Sequence, residues 1–246
     1  MATLPIRLQN DPIVEAVFEL RFEGAVSSVA DVHQGALFTP LKKRFPKVIR
    51  TPFSALPALD AMVEANPALR YQPRLELQGE RLSIFIGDHS IVVSCRKPYL
   101  GWKELQPLIL EVLQHVKGAE ATGNIERFSL KYVNLLPAGL PSAQFKMVHY
   151  SANLGNLSLT ELVTRTRTEF EKGGFLNIVE LIANANIKAP PATGLLIAID
   201  TICNDAKDFW VDYPAKINKL HDVEKSIFFE ILTKETIEKM GAVWAH

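Results

Sequence analysis

An α+β fold, mainly antiparallel sheet with helices packed on one face, follows from three observations on the sequence. Strand-like segments succeed one another with no helix between them over much of the chain. The strongest, residues 13–22, alternates apolar and polar side chains with a period of two. Two further segments, 102–117 and 213–232, carry apolar residues at helical spacing instead. With 246 residues the chain is near the upper end for one domain. Pro137-Ala138-Gly139-Leu140-Pro141 is the candidate boundary between an N-terminal α+β half, 1–140, and a β-rich C-terminal half with a long terminal helix, 141–246. Two similar halves and one compact domain both fit this order.

In the opening strand Val14, Ala16, Phe18, Leu20 and Phe22 form one face, and Glu15, Glu19 and Arg21 the other. Asn10-Asp11-Pro12 in front is turn chemistry and sets the strand's start. Ser27-Ser28 offers an N-cap for a helix running towards Phe45, which Pro40 should kink or split. Lys42-Lys43-Arg44 would then lie in its last turn, where the helix dipole favours positive charge. Residues 46–73 hold five prolines, too many for a long regular element, with room for a short helix over 58–64.

Strands are expected over 74–78, 81–86 and 90–96, joined at Gly79-Glu80 and Gly87-Asp88. The helix over 102–117 follows, with Trp102, Leu105, Ile109, Val112, Leu113 and Val116 as its stripe and Gly118 as its stop. Residues 125–136 return to strand. Phe128, Leu130, Tyr132, Asn134 and Leu136 share one face there, and Arg127, Ser129, Lys131 and Val133 the other. Beyond Pro141, residues 145–150, 161–170, 175–188 and 195–203 read as strands. A helix over 213–232 comes next, its stripe broken only by Glu224, and Thr233 caps a final helix to Met240.

Gly173-Gly174 predicts a hairpin in which Phe170 opposes Asn177 and Arg167 opposes Glu180. One face then carries Thr164, Thr166 and Thr168 with Val179, Leu181 and Ala183. The other carries Arg165, Arg167 and Glu180 with Ile182 and Asn184. A solvated sheet face is the ordinary use of such a pattern, and a recognition floor for an anionic ligand is the sharper one.

Composition narrows the function classes. An apolar share of 48% with 22% charged residues is that of a folded globular protein. Lys plus Arg and Asp plus Glu both total 27, so no net field draws nucleic acid. No apolar run reaches the ~20 residues of a membrane span. The N-terminus lacks the basic and apolar regions of a signal peptide. Cys95 and Cys203 each sit in an apolar strand-like segment, and two reduced, buried thiols imply the cytoplasm.

Catalytic signatures are few. No Gly-rich stretch ends in Gly-Lys-Ser or Gly-Lys-Thr, and no Gly-x-Ser-x-Gly occurs. Neither cysteine has the clustered partners a zinc site needs, so no metal and no cofactor are expected. The histidines are scattered; His33, His115 and His221 fall on expected helices as surface or interface residues, and His89 in a turn beside Asp88. A metal nuclease would need converging carboxylates, and Glu76 and Glu180 both lack the lysine two residues on. Glu15 and Glu19 on one strand stand ~13 Å apart, too far for a glycosidase pair.

Three stretches are similar to a known family. Residues 10–22, NDPIVEAVFELRF, resemble the N-terminal signature of a sporadically distributed prokaryotic family of about this length. Arg127 to Asn134, RFSLKYVN, resembles its basic-aromatic strand ending in Tyr-x-Asn. Leu220 to Thr233 resembles its C-terminal helix and following threonine. The resemblance spans residues 10 to about 240, and this chain has Lys131 where arginine often stands. It supplies no activity, cofactor or catalytic residue. Its patchy occurrence implies accessory genes, such as defence or toxin–antitoxin systems. It marks Glu15, Glu19, Arg21, Arg127, Lys131, Tyr132, Asn134, His221 and Lys225.

These readings converge on a non-catalytic interaction protein with a protein partner, encoded nearby, and homo-oligomerisation left open. A small-molecule or nucleotide binder using Arg165, Arg167, Glu180 and Asn184 is the alternative, and a metal-dependent nuclease the third. If the strands carrying Glu15, Glu19 and Arg21 and carrying Arg127 and Lys131 pair, acid meets base across them. That network would serve either to fix register or to floor a binding site.

Overall fold

Period-two patterning is realised on a large scale. The computed structural model describes residues 4–26, 28–55, 63–188 and 191–244. Its strands are β1 (Arg7–Leu8), β2 (Ile13–Gly24), β3 (Lys47–Arg50), β4 (Leu75–Gln78), β5 (Leu82–Ile86) and β6 (Ser90–Arg96). Then come β7 (Thr122–Pro137), β8 (Asn153–Leu154), β9 (Leu157–Ser158), β10 (Arg165–Lys172), β11 (Phe175–Lys188), β12 (Pro191–Cys203) and β13 (Ala242–Val243). Nine of them form one antiparallel sheet in the order β10-β11-β12-β7-β2-β6-β5-β4-β3. Among the described residues the helices are Val29–Leu41, Trp102–Gly118, Pro141–Phe145, Tyr213–Ile231 and Lys234–Lys239, and residues 63–65 are also helical. None is long and apolar enough to cross a membrane.

The chain forms two compact units. The first comprises Met1–Glu15, Lys131–Thr201 and Asn218–His246, and contains the Pro137–Pro141 segment; the second comprises Ala16–Leu130 and Ile202–Ile217. Strands β2, β7 and β12 and the helix Tyr213–Ile231 each contribute residues to both.

In the first unit, Val179, Leu181 and Ala183 of β11 and Leu195, Ile197 and Ile199 of β12 bury against Ile227 and Phe228 of the helix Tyr213–Ile231. The β10–β11 register is the expected one, with Phe170 opposite Asn177 and Arg167 opposite Glu180. Gly173 and Gly174 make the turn with φ +67° and +84°, as a two-residue hairpin of this twist requires. A Cβ at Gly194 would stand 2.1 Å from the Leu136 carbonyl, so β12 passes β7 closely only with glycine there. Thr233 caps the last helix by accepting from the Thr236 N–H at 3.3 Å.

In the second unit, Ala16, Phe18, Leu20 and Phe22 of β2 are fully buried, as the alternation requires. Leu75, Leu77, Ile84, Ile86, Ile91 and Val93 extend this core through β4 to β6. The helices Val29–Leu41 and Trp102–Gly118 pack on each other. Phe209 lies 4.9 Å from Phe128, ring centre to ring centre.

Several expectations are corrected. The helix expected to reach Phe45 ends at Leu41, one residue past Pro40, which cannot donate to the Ala36 carbonyl and so weakens the last turn. Lys42-Lys43-Arg44 therefore follow the helix instead of occupying its last turn. Residues 145–150 are not a strand: Pro141 takes the first helical position of Pro141–Phe145, and only Val148 bridges, to Leu232. His33 is a core residue, fully buried and edge-on to Phe22 at 5.8 Å. Cys95 is buried but Cys203 only half-buried, and neither is in a disulfide. The Pro-rich segment holds a short strand, β3, paired with β4. The helix expected over 58–64 lies mostly outside the described residues, as does Ser27. Ser28 occupies the N-cap without a capping side-chain bond.

Candidate polar network on the sheet face

Alternation turns Glu19 and Arg21 away from the apolar face of β2, and β7 brings Arg127 alongside. Glu19 Oε2 accepts from Arg21 Nε at 2.9 Å and from Arg127 Nη2 at 2.8 Å. One carboxylate thus joins two neighbouring strands, the pairing the sequence proposed. The second-strand partner arrives through a break in period. Ile125 and Phe128 are both buried, 7% and 1% exposed, while Glu126 and Arg127 between them both stay half-exposed.

The 3₁₀ turn Pro67–Tyr71 lays two more side chains onto this network. The Arg21 guanidinium lies 4.2 Å from the centre of the Tyr71 ring, within cation–π range. Tyr71 donates its hydroxyl to Glu126 Oε2 at 2.6 Å, and Arg70 pairs with Glu126 Oε1 at 3.2 Å. Burial, with Glu126 as acceptor, raises the Tyr71 pKa above its ordinary value. His89 Nδ1 stands 3.3 Å from the Phe22 carbonyl and 3.4 Å from Arg70 Nη2. The carbonyl can only accept and the guanidinium can only donate, so one tautomer of His89 bonds Phe22 and the other bonds Arg70. Glu19, Arg21, Arg70, Tyr71, Glu126 and Arg127 form one connected row, rigid by mutual bonding.

Nearby, Asp88 caps the helix Val29–Leu41 from outside, accepting from Ala30 N–H at 3.0 Å and pairing with Arg74. Both belong to a polar cleft of about 180 Å³ that Asp31 and Arg50 also line. Acid and base balance within it.

The first unit carries a separate cluster. Glu180 Oε1 accepts from Arg165 Nη2 at 3.1 Å and Arg167 Nη1 at 3.5 Å, and Arg167 pairs with Glu169 at 2.7 Å. Burial pushes the Glu180 carboxyl up, but the two arginines and Lys131 outweigh it and hold its pKa below the ordinary value. Asn184 does not join these residues. It takes φ +53°, and its backbone N–H and side-chain oxygen bond Gln144 at 2.9 and 2.7 Å. Tyr132 and Asn134 face the core side. Tyr132 is 3% exposed and 6.2 Å from the His221 ring, and Asn134 donates to Ile197 O at 3.3 Å. Glu15 is half-buried in this unit.

Glu76 accepts from Ser83 at 2.6 Å and pairs with Arg96 at 3.4 Å. No group of three or more His, Cys, Asp or Glu residues gathers as a metal site among the described residues.

Sequence reasoning missed Arg70, Tyr71 and Glu126. The usable signal for Glu126 is Ile125-Glu126-Arg127-Phe128, an apolar–polar–polar–apolar run that breaks the period of two. For Arg70 and Tyr71 no local signal exists, because the turn's docking depends on strands distant in sequence. Compared with family models and with curated proteins, the chain matches none.

Proposed function

We propose that the protein acts by binding another protein, as a cytoplasmic interaction component of a bacterial accessory system of the defence or toxin–antitoxin kind. The observation that carries the reading is the Arg21–Tyr71–Arg70 row with its Glu19 and Glu126 counter-ions. Arginine and tyrosine dominate the energetics of protein interfaces, since each combines apolar contact area with hydrogen-bonding groups. Here their side chains stay about a quarter to a third exposed, with Arg21 at 26% and Arg70 at 34%, while ion pairs fix their geometry. A surface ordered in advance loses little entropy on binding. The genetic setting comes from the family resemblance.

The test is affinity capture from the native host with the wild-type chain and with Arg21→Ala and Tyr71→Ala variants. A single stoichiometric partner, lost from the variants, supports the reading. Capture unaffected by both variants overturns this surface. A thermal-shift screen with nucleotides checks the alternative floor at Arg165, Arg167 and Glu180: ligand at 100 times its Kd adds ~2.7 kcal/mol of stability. Such a gain, abolished by Arg165→Ala, would replace protein binding with ligand binding.

A further inference from the structure

We propose that a second copy of this chain docks antiparallel on the free edge of β10, with the two-fold axis at Thr168. The inference is independent of the Arg21–Tyr71 surface.

Strand β10 ends the nine-stranded sheet, so among the described residues one side of it has no neighbouring strand. Sheet edges are normally blunted by shortness, proline or a bulge, because their unpaired backbone groups recruit other chains. The opposite end of the sheet follows this rule: β3 has four residues and comes directly after Pro46. β10 does not. It runs for eight residues, contains no proline, and pairs with β11 in unbroken register from Arg165↔Ile182 to Lys172↔Phe175.

The backbone direction follows from one bond. Ala183 N–H donates to Thr164 O, which makes 164 and 183 a hydrogen-bonded pair. In an antiparallel ladder such pairs recur every second residue. Thr166, Thr168 and Phe170 therefore bond β11, and Arg165, Arg167, Glu169 and Glu171 turn their N–H and C=O groups to the open edge. No other backbone group takes these up among the described residues. A partner strand must bond these four residues, which restricts it to registers that pair them with one another.

Charge then selects among those registers. With the axis at Thr168, Arg165 faces Glu171 of the second copy and Arg167 faces its Glu169, and the reverse on the other side. Every charged pair is opposite in sign. A shift of two residues either way sets Arg167 against Arg167 or Glu169 against Glu169. Like charges directly opposed are destabilising, so the alternatives are disfavoured. Parallel pairing in register would stack each charge on its own copy. The charges that would guard an edge against strangers thus form a self-complementary set, and a two-fold contact of this kind closes on itself. The groups are accessible: Arg165, Arg167 and Glu169 are 65%, 50% and 50% exposed, and Glu171 is also exposed.

The test measures the mass of the full chain by light scattering and sedimentation, from low to high micromolar concentration. The wild type is expected to approach twice 27.4 kDa, and added salt should shift it towards one chain. Arg165→Glu with Arg167→Glu gives an all-acidic edge, and Glu169→Arg with Glu171→Arg an all-basic one. Each double variant should stay a single chain, and the two mixed should recover the double mass. Register is read from Thr168→Cys, which should form an intermolecular disulfide on oxidation, against Thr166→Cys, which faces Phe170 of the second copy and should not. Circular dichroism confirms folding in each case. A wild type of single-chain mass throughout, or charge variants that associate like the wild type, overturns the proposal. Equal cross-linking of Thr166→Cys and Thr168→Cys overturns the register.

Discussion

Glu224 offers the sharpest test of the packing in the first unit. It sits in the apolar stripe of the helix Tyr213–Ile231, 4% exposed, and burial pushes its pKa from 4.5 up to about 8. Between these values the unfolded chain has released the proton and the folded chain keeps it. Folding therefore takes up a proton, and stability falls as pH rises through this window, by ~1.4 kcal/mol per pH unit. At pH 7 the accumulated cost is about 3 kcal/mol, a large part of a typical domain's stability. Glu224→Gln keeps the size and removes the titration. Urea denaturation of both proteins from pH 4 to 8 should give equal stability near pH 4 and a variant more stable by about 3 kcal/mol at pH 7. The difference between the two curves matters more than either curve. His33 and His221, both lowered to about 4 by burial, slope the other way in the wild type. A difference flat in pH would refute the burial of an uncompensated carboxyl at this position.

Four other outcomes follow from the structure. His33, with no hydrogen bond to either ring nitrogen, gives stability that is full above pH 6.5 and lost as pH falls towards 4; His33→Leu should lower the acid midpoint of unfolding followed by circular dichroism. Gly194→Ala drives a Cβ into the Leu136 carbonyl and should cost more than about 3 kcal/mol, read as a fall in Tm or loss of soluble protein. Tyr71→Phe removes the hydrogen bond to Glu126 and should cost about 1 kcal/mol by chemical denaturation. A double-mutant cycle on Glu19 and Arg127, joined at 2.8 Å with side chains 18% and 24% exposed, should show coupling of about 1 kcal/mol that shrinks in high salt.

Legibility in the sequence followed the range of the forces involved. Strand β2, the Gly173-Gly174 hairpin and the helix capped at Thr233 were readable because period, turn chemistry and capping act within a few residues. The segment 145–150 reads as a strand because Phe145, Met147, Val148 and Tyr150 make a short, mostly apolar run, whereas Pro141 and the burial of Phe145 and Val148 favour a short helix and turn. Pro40 signals a break without fixing its place, so the basic run reads as part of a helix that ends just before it. His33 reads as a surface or interface residue by type, and the closing of the helix Val29–Leu41 onto Phe22 buries it instead.

At the candidate site the same division holds. By itself the sequence determined that Glu19 and Arg21 share a polar strand face, that Arg167 stands opposite Glu180, and that β10 carries two arginines followed by two glutamates at alternate positions. Only the tertiary structure decided that Arg127 closes on Glu19, that Tyr71 reaches Glu126, and that Tyr71 is laid beneath Arg21. It also decided that β10 lies at the sheet's edge. Period and turn chemistry are local properties of a chain; strand order and loop docking arise from contacts between residues far apart in sequence, where no local pattern records them.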